Sequence, residues 1–349
     1  MEKENFYEDD ELSQKEEFKQ NESISKIFEK ERAQYISEVG KQLENPQTVT
    51  IEINGSPVDL DYRIISIESL ENKNYDPVIV LPGFGSGWEG ISELCFSLAC
   101  EGRKAITLSL PGYGKSDNPP AEYFGEDDFS AEAEAVAKFV EKLRDEGKIG
   151  DKKIHLVGHS MAGAIMSEYA AKNSDQVSSL TLLDSAGVNE KENIIALAAK
   201  FFASGIHTVA EYKARLALSG EEEYEKEIYK HIPKTQSPFK PDRVKQRLAE
   251  ARKLSSGKVV ENLENLDAPV IYMSGELDLV FPPGEASNEN SQLAKIINAV
   301  NNKAKIETSV LYGLRHNTTV SADEITAANI NHYLEEAEKK NRSEDANKL

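Results

Sequence analysis

The stretch from Ile154 to Gly163 constrains the fold of this chain more than any other, because it reads as a strand, a sharp turn and a helix. Its first residues form an uncharged, apolar run that is typical of a buried parallel strand. Gly158 breaks that run, and apolar residues then recur at helical spacing from Ala162 to Ala170. A serine at such a turn, here Ser160, is expected to adopt a strained backbone conformation with its hydroxyl above the sheet.

Length and charge limit the class of protein. A chain of 349 residues fits one sizeable core with an insertion or a tail. Its net charge of −20 repels phosphate backbones and anionic lipid heads, so we expect no nucleic acid partner. No apolar run approaches the roughly 20 residues of a membrane helix, and the acidic start, Met1 to Asn5, lacks a basic region followed by an apolar one. These features predict a cytoplasmic protein without stable membrane insertion; the oligomeric state is left open.

Hydrophobic patterning divides the chain into segments. Residues 1–20 are mostly charged and predict a disordered acidic tail. Residues 21–46 predict an amphipathic helix, with Gly40 as its candidate C-terminus. The alternation on either side of Asn54-Gly55 predicts a β-hairpin, because Asn-Gly accepts the positive φ of a tight turn.

Strand and helix patterns then alternate, which predicts the α/β class: a mostly parallel central sheet with helices on both faces. The alternation stops in residues 187–266, where only helical patterns occur, and returns afterwards. We therefore expect a core of residues 47–186 and 267–340 with a helical cap inserted between them. The cysteines, Cys95 and Cys100, lie in a predicted helix and lack metal-ligand spacing, so they are expected to be reduced thiols.

The turn at Ser160 resembles the nucleophile elbow of the α/β-hydrolase family, Gly-x-Ser-x-Gly, with Ala162 in place of the last glycine. An activated serine needs a base, an acid that orients the base, and donors for the oxyanion. The resemblance implies the chain order serine, acid, histidine. That order leaves His316, which directly follows a strand pattern, and His332, which lies within a helical pattern; His316 is the expected base.

The acid and the oxyanion donors follow from the same resemblance. Asp278 lies in Gly275-Glu276-Leu277-Asp278-Leu279-Val280-Phe281-Pro282, which is similar to the family's Gly-x-x-Asp-x-x-x-Pro turn. Glu276 and Asp184 compete with it, the latter because some relatives place the acid one strand earlier. The oxyanion donors are expected to be the backbone amides of Met161 and Phe84, although this chain has Pro82-Gly83 where many relatives have His-Gly.

The segment Gly83-x-Gly85-x-Gly87 follows a strand pattern and opens a helix, as a dinucleotide-binding loop does. Its spacing differs from that of the dinucleotide-binding fingerprint, Gly-x-Gly-x-x-Gly, and the next strand ends without an acidic residue for a ribose. We therefore expect no dinucleotide site here. The resemblance to the α/β-hydrolase family implies that neither an organic cofactor nor a metal is required.

The resemblance implies a serine hydrolase that cleaves a small carboxylic ester or a related acyl compound through an acyl-enzyme. The strongly charged exterior of the predicted cap favours a soluble substrate over a lipid interface. The expected substrate-binding residues are Gly83, Trp88, Phe201 and Tyr212. Three alternatives stay open: a carbon–carbon bond hydrolase, an aminopeptidase, and a small-molecule receptor that retains the triad.

Overall fold

A computed structural model of the chain describes residues 33–124, 128–189, 244–254, 258–300 and 304–348, with scattered positions between 196 and 214. The predicted tail at residues 1–20 lies outside these ranges, as do residues 21–32 and most of the predicted cap. None of the helices that the model describes is long and apolar enough to cross a bilayer.

An eight-stranded sheet forms the centre of the protein, with the strand order β1-β2-β4-β3-β5-β6-β7-β8. The first two strands and the β2–β4 pair are antiparallel, whereas all other neighbours are parallel. The predicted α/β class is confirmed. The strands are β1 Gln47–Ile53, β2 Ser56–Ile65, β3 Val78–Leu81, β4 Ala105–Leu108, β5 Ile154–His159, β6 Val177–Leu183, β7 Val270–Gly275 and β8 Ile306–Leu311.

Helices cover both faces of the sheet, and each face has its own apolar core. On one face α3, α4 and α6 pack over β5 and β6, and on the other α1, α2 and α9 pack over β3 and β5. The helices are α1 at 33–44, α2 Ser92–Cys100, α3 Ser130–Asp145, α4 Met161–Lys172, α5 Val244–Lys253, α6 Lys258–Glu264, α7 Gln292–Ala299, α8 Thr318–Ser321 and α9 Asp323–Lys348.

The hairpin forms at the predicted turn. Asn54 and Gly55 have φ angles of 50° and 74°, and Ile53 pairs with Ser56 across them. The helix before the hairpin differs from expectation, because α1 continues through Gly40 to residue 44. Val39 and Leu43 are both buried in the core on either side of Gly40. Their packing outweighs the roughly 1 kcal/mol that a glycine costs inside a helix.

Helix α5, which lies within the predicted cap, is joined to the core by buried polar contacts. Lys253 Nζ lies 2.9 and 3.1 Å from the two carboxylate oxygens of Glu132 on α3. Glu250 accepts a hydrogen bond of 2.6 Å from the Tyr113 hydroxyl in the loop after β4. Burial raises the pKa of Glu132 to about 7, although the Lys253 ammonium opposes that effect. Because a buried charge must be paired, these contacts fix the position of α5 on the core.

We expect Lys253→Met to lower the free energy of unfolding by about 3 kcal/mol at pH 8, because it leaves the Glu132 carboxylate buried without a cation. The loss should be smaller at pH 5, since the folded-state pKa of Glu132 is raised and protonation removes the charge as the pH falls through 7. Urea denaturation at both pH values measures this difference. The double variant Lys253→Met/Glu132→Leu should recover most of the loss; an equal loss in the double variant would contradict the proposed role of the ion pair.

Candidate active site

Ser160 lies between β5 and α4 in an unusual backbone conformation. Its φ is +54° and its ψ is −119°, which only a few non-glycine residues adopt. Two hydrogen bonds tie its backbone to the end of β6: its N–H donates to the Leu183 carbonyl at 2.9 Å, and its carbonyl accepts from Ala186 N at 3.0 Å. The expected strained turn is therefore present, and the end of β6 supports it.

Two glycines allow α4 to fold back over β5. A Cβ atom at Gly158 would lie 2.4 Å from the Ala162 carbonyl oxygen and 2.7 Å from the Gly163 Cα. At Gly163 a Cβ atom would lie 2.2 Å from Ser185 Oγ. Both contacts are far shorter than real carbon contacts. The turn therefore needs glycine at both positions, including the one just beyond the family pattern.

Ser160, His316 and Asp278 form one line of hydrogen bonds. His316 Nε2 lies 3.0 Å from Ser160 Oγ, and His316 Nδ1 lies 2.8 Å from Asp278 Oδ2. All three residues are at most 3% exposed. Because the carboxylate accepts the Nδ1 proton, Nε2 is left as the acceptor that faces the serine hydroxyl.

The carboxylate and the imidazole favour each other's charged forms. Burial acts to raise the pKa of Asp278, but His316 and the amides of Phe281 and Val280 lower it below its ordinary value. Those amides donate to Asp278 Oδ1 at 3.0 and 2.7 Å. Burial acts to lower the pKa of His316, and Asp278 outweighs burial, so the pKa is raised. The pair is suited to hold a proton on the imidazole when the serine gives one up.

The competing candidates occupy other positions. Glu276 is exposed, and its Oε2 accepts from Gly313 N at 3.0 Å. Asp184 is fully buried behind the site, where it accepts from Gly275 N and Thr318 Oγ1. His332 is exposed on α9. Among the described residues, only Asp278 is hydrogen-bonded to the His316 ring on the side away from the serine.

Gly83 brings the loop after β3 against the serine. A Cβ atom there would lie 2.9 Å from Ser160 Cβ and 3.1 Å from His159 Nδ1, so only glycine allows this approach. Phe84 follows it, and Met161 opens α4 on the other side of Ser160. Within the described part of the chain, no protein acceptor binds the backbone amides of Phe84 and Met161. Both amides are therefore available to an oxyanion on a substrate bound at Ser160.

Aromatic rings surround His316. The ring centroids of Phe201 and Phe281 lie 5.8 and 5.4 Å from that of His316, and the Phe84 ring lies 6.0 Å from Phe201. Phe201 was among the expected substrate-binding residues, whereas Phe281 was not. Its position three residues after Asp278, within the same tight turn, is the signal that brings it next to the histidine.

The other two expected substrate-binding residues gain no support. Trp88 is 2% exposed, its Nε1 donates to Asp61 at 2.7 Å, and the Arg63 guanidinium lies 4.3 Å from the ring centroid. These contacts turn the indole toward the Asp61–Arg63 ion pair, because a buried N–H needs an acceptor. Tyr212 lies outside the described residues.

His159, next to Ser160 in the chain, makes contacts that the sequence patterns did not predict. Its Nε2 donates to the His316 carbonyl at 2.9 Å and lies 3.8 Å from Asp184 Oδ2. Burial lowers the pKa of His159 to about 4, so its ring is neutral at pH 7. It supports the backbone of His316.

One group of potential metal ligands lies close together among the described residues: Asp76, His155 and Glu338. The guanidinium of Arg103, however, lies 2.5 Å from Glu338 Oε1, and His155 Nε2 lies 3.1 Å from the same oxygen. The Ser178 hydroxyl donates to Asp76. Arg103 thus already supplies the cation, and the cluster joins α9 to the sheet.

A family model described as alpha/beta hydrolase fold matches residues 76–307. Lipase 1 of Psychrobacter immobilis is 27% identical over 259 residues, which cover 67% of this chain and 74% of that protein. The fold is similar to an esterase from Exiguobacterium antarcticum, with a TM-score of 0.57 at 17% identity, over 83% of this chain and 100% of the esterase.

A further relative shares only part of its length with this chain. It is the dihydrolipoyllysine-residue acetyltransferase component of the acetoin cleaving system of Pseudomonas putida, 29% identical over 171 residues. The match covers 49% of this chain and 41% of that protein. The chain therefore spans less than half of this relative.

We expect Gly158→Ala to lower the free energy of unfolding by about 3 kcal/mol or more, because its Cβ meets backbone atoms that no side-chain rotation can move. Gly147→Ala is the control: no atom lies within 4 Å of its Cβ, and only its φ of +69° opposes the change. That variant should lose about 1 kcal/mol. Chemical denaturation compares the two, and equal losses would contradict the close approach of α4 to β5.

Proposed function

The chain belongs to the alpha/beta hydrolase fold family, and from that premise we propose that it is a serine hydrolase that cleaves a small carboxylic ester or a related acyl compound. The observation that carries this proposal is the continuous, buried line of hydrogen bonds from Ser160 through His316 to Asp278. The similarity to a lipase and to an esterase supports the same chemistry. Ser160 is then the nucleophile, His316 the general base and Asp278 the orienting acid.

In the proposed acylation, Ser160 Oγ attacks the ester carbonyl carbon while His316 Nε2 takes the hydroxyl proton. Asp278 stabilises the imidazolium through Nδ1. The carbonyl oxygen becomes an oxyanion and accepts hydrogen bonds from the amides of Phe84 and Met161, each worth on the order of 3 kcal/mol to the transition state. The carbon–oxygen bond then breaks, and His316 gives its proton to the leaving alcohol.

Deacylation repeats these steps with water as the nucleophile. The water oxygen attacks the acyl carbon of the acyl-enzyme while His316 takes a proton from the water. When the second oxyanion collapses, the bond to Ser160 Oγ breaks and the proton on His316 returns to the serine. The products are a carboxylic acid and the free enzyme, so no cofactor takes part in the balance.

The substrate that we propose is small and partly apolar at its acyl end. Phe201 and Phe281 lie against His316, and Phe84 lies against Phe201, so apolar side chains border the space next to the reacting atoms. Buried polar contacts hold α5 on the core. This arrangement favours a soluble substrate in an enclosed pocket over a long lipid chain at an interface.

We expect Ser160→Ala to lower kcat by about 10⁴ to 10⁶ and to abolish covalent labelling by a fluorophosphonate probe, because the nucleophilic oxygen is gone. Rates on p-nitrophenyl butyrate and intact-protein mass after labelling measure both effects. The matched control is Ser167→Ala on α4, whose hydroxyl donates to the Ala164 carbonyl. That variant should keep wild-type activity. Activity within tenfold of wild type in Ser160→Ala would rule out the assignment.

We expect kcat/KM on p-nitrophenyl esters to fall as the acyl chain grows beyond about four carbons, and Phe201→Ala to raise the rate on longer chains by about tenfold. The reason is that the Phe201 ring, which belongs to the predicted cap, has its centroid 5.8 Å from that of His316 and would meet a longer acyl chain. Ile206→Ala removes an exposed side chain from the same region and should leave the preference unchanged. A sharp rise in rate at an emulsion surface, or a preference for long-chain triglycerides, would contradict the proposed substrate class.

A further inference from the structure

Asp184 is a buried carboxylate that the proposed mechanism does not use. It directly follows β6, it is fully buried, and its φ of +47° is unusual for a residue other than glycine. Both of its carboxylate oxygens accept hydrogen bonds, and its backbone N–H donates to the Met273 carbonyl on β7 at 2.9 Å. A fully buried carboxylate in a strained backbone conformation is costly, so its retention here indicates a specific role.

Each oxygen of Asp184 binds a different segment of the proposed site. Oδ1 accepts from Gly275 N at 2.9 Å, and the Gly275 carbonyl accepts from Asp278 N at 3.1 Å. Oδ2 accepts from the hydroxyl of Thr318 at 2.7 Å. Thr318 comes two residues after His316 in the chain. One side chain therefore links the turn that carries the acid to the loop that carries the histidine.

The segment of the nucleophile meets the same carboxylate. His159, next to Ser160, lies 3.8 Å from Asp184 Oδ2 while it donates to the His316 carbonyl. The Ser160 amide also donates to the Leu183 carbonyl, one residue before Asp184. All three segments of the proposed triad thus converge on the end of β6.

We propose that Asp184 is a positioning residue: by accepting hydrogen bonds from Gly275 and Thr318, it holds the turn of Asp278 and the loop of His316 at a fixed separation. This inference rests on the proposed hydrolase function and adds a residue to it. Asp184 is distinct from the acid of the triad, because His316 Nδ1 is already bonded to Asp278 and both Asp184 oxygens have other donors.

Hydrogen-bond acceptance, rather than charge, is the property that the site needs from Asp184. Burial and the nearby Asp278 raise the pKa of Asp184 above its ordinary value, so its charge is already disfavoured. Asparagine keeps one oxygen for Gly275 N, and its amide can donate to the Thr318 hydroxyl, which is both donor and acceptor. Asparagine also tolerates positive φ better than most residues. Asp184→Asn is therefore the conservative variant.

The experiment compares variants in kcat, KM, fluorophosphonate labelling rate and melting temperature, with p-nitrophenyl butyrate as substrate. Asp184→Ala and Thr318→Val should lower kcat and labelling rate by about 10- to 100-fold with KM within threefold, because a misplaced base slows chemistry more than binding. Asp184→Asn should stay within about tenfold of wild type. Asp278→Asn, the comparison for loss of the acid, should fall by about 10⁴.

The matched control is Thr181→Val on β6, because the Thr181 hydroxyl is buried and has no hydrogen-bond partner among the described residues. This variant should keep wild-type rates, so any loss in Thr318→Val reflects the lost bond to Asp184 and not the exchange of a hydroxyl for a methyl group.

Each outcome decides the proposal. If kcat falls as far in Asp184→Asn as in Asp278→Asn, Asp184 is the acid and the proposal is wrong. If Thr318→Val keeps the wild-type kcat and labelling rate, Asp184 has only a structural role and the proposal is also wrong. Should Asp184→Ala fail to fold, Thr318→Val and Asp184→Asn still decide. Wild-type protein that neither cleaves the ester nor reacts with the probe would instead remove the proposed function, and with it this inference.

Discussion

The close contact between β5 and α4 is the constraint on which the rest of the site depends. Because Gly158 carries no side chain, the helix returns directly over the strand, and Ser160 is held at a positive φ between them. Strain at one residue persists only when its surroundings over-determine it. Here the end of β6 does so, since Leu183 and Ala186 both hydrogen-bond to the Ser160 backbone.

Local patterns were sufficient to predict the parts of the fold and site that local chemistry controls. The Asn54-Gly55 turn, the uncharged strand before Ser160 and the alternation of strands and helices all agree with the structure. The order serine, acid, histidine came from a family resemblance, and His316 and Asp278 do lie in one hydrogen-bonded line with Ser160. Their catalytic roles stay predictions.

The contacts that could not be predicted join segments far apart in the chain. Asp184 meets Thr318 across 134 residues, and His159 meets the His316 backbone across 157, so no periodicity or spacing encodes them. Side-chain direction is equally hidden. Trp88 was expected to bind substrate, yet it is buried and its indole N–H donates to Asp61. At Gly40, tertiary packing of Val39 and Leu43 overrode a local stop signal.

The distance along the chain between Ser160 and His316 has a consequence during synthesis. The two residues are 156 positions apart, so at 5 to 20 residues per second a ribosome makes Ser160 about 8 to 30 s before His316. Helix α9, which covers one sheet face with Ile330 and Leu334, is made later still. Until α9 docks, a nascent chain therefore exposes the apolar sheet face that Ile330 and Leu334 cover in the finished protein.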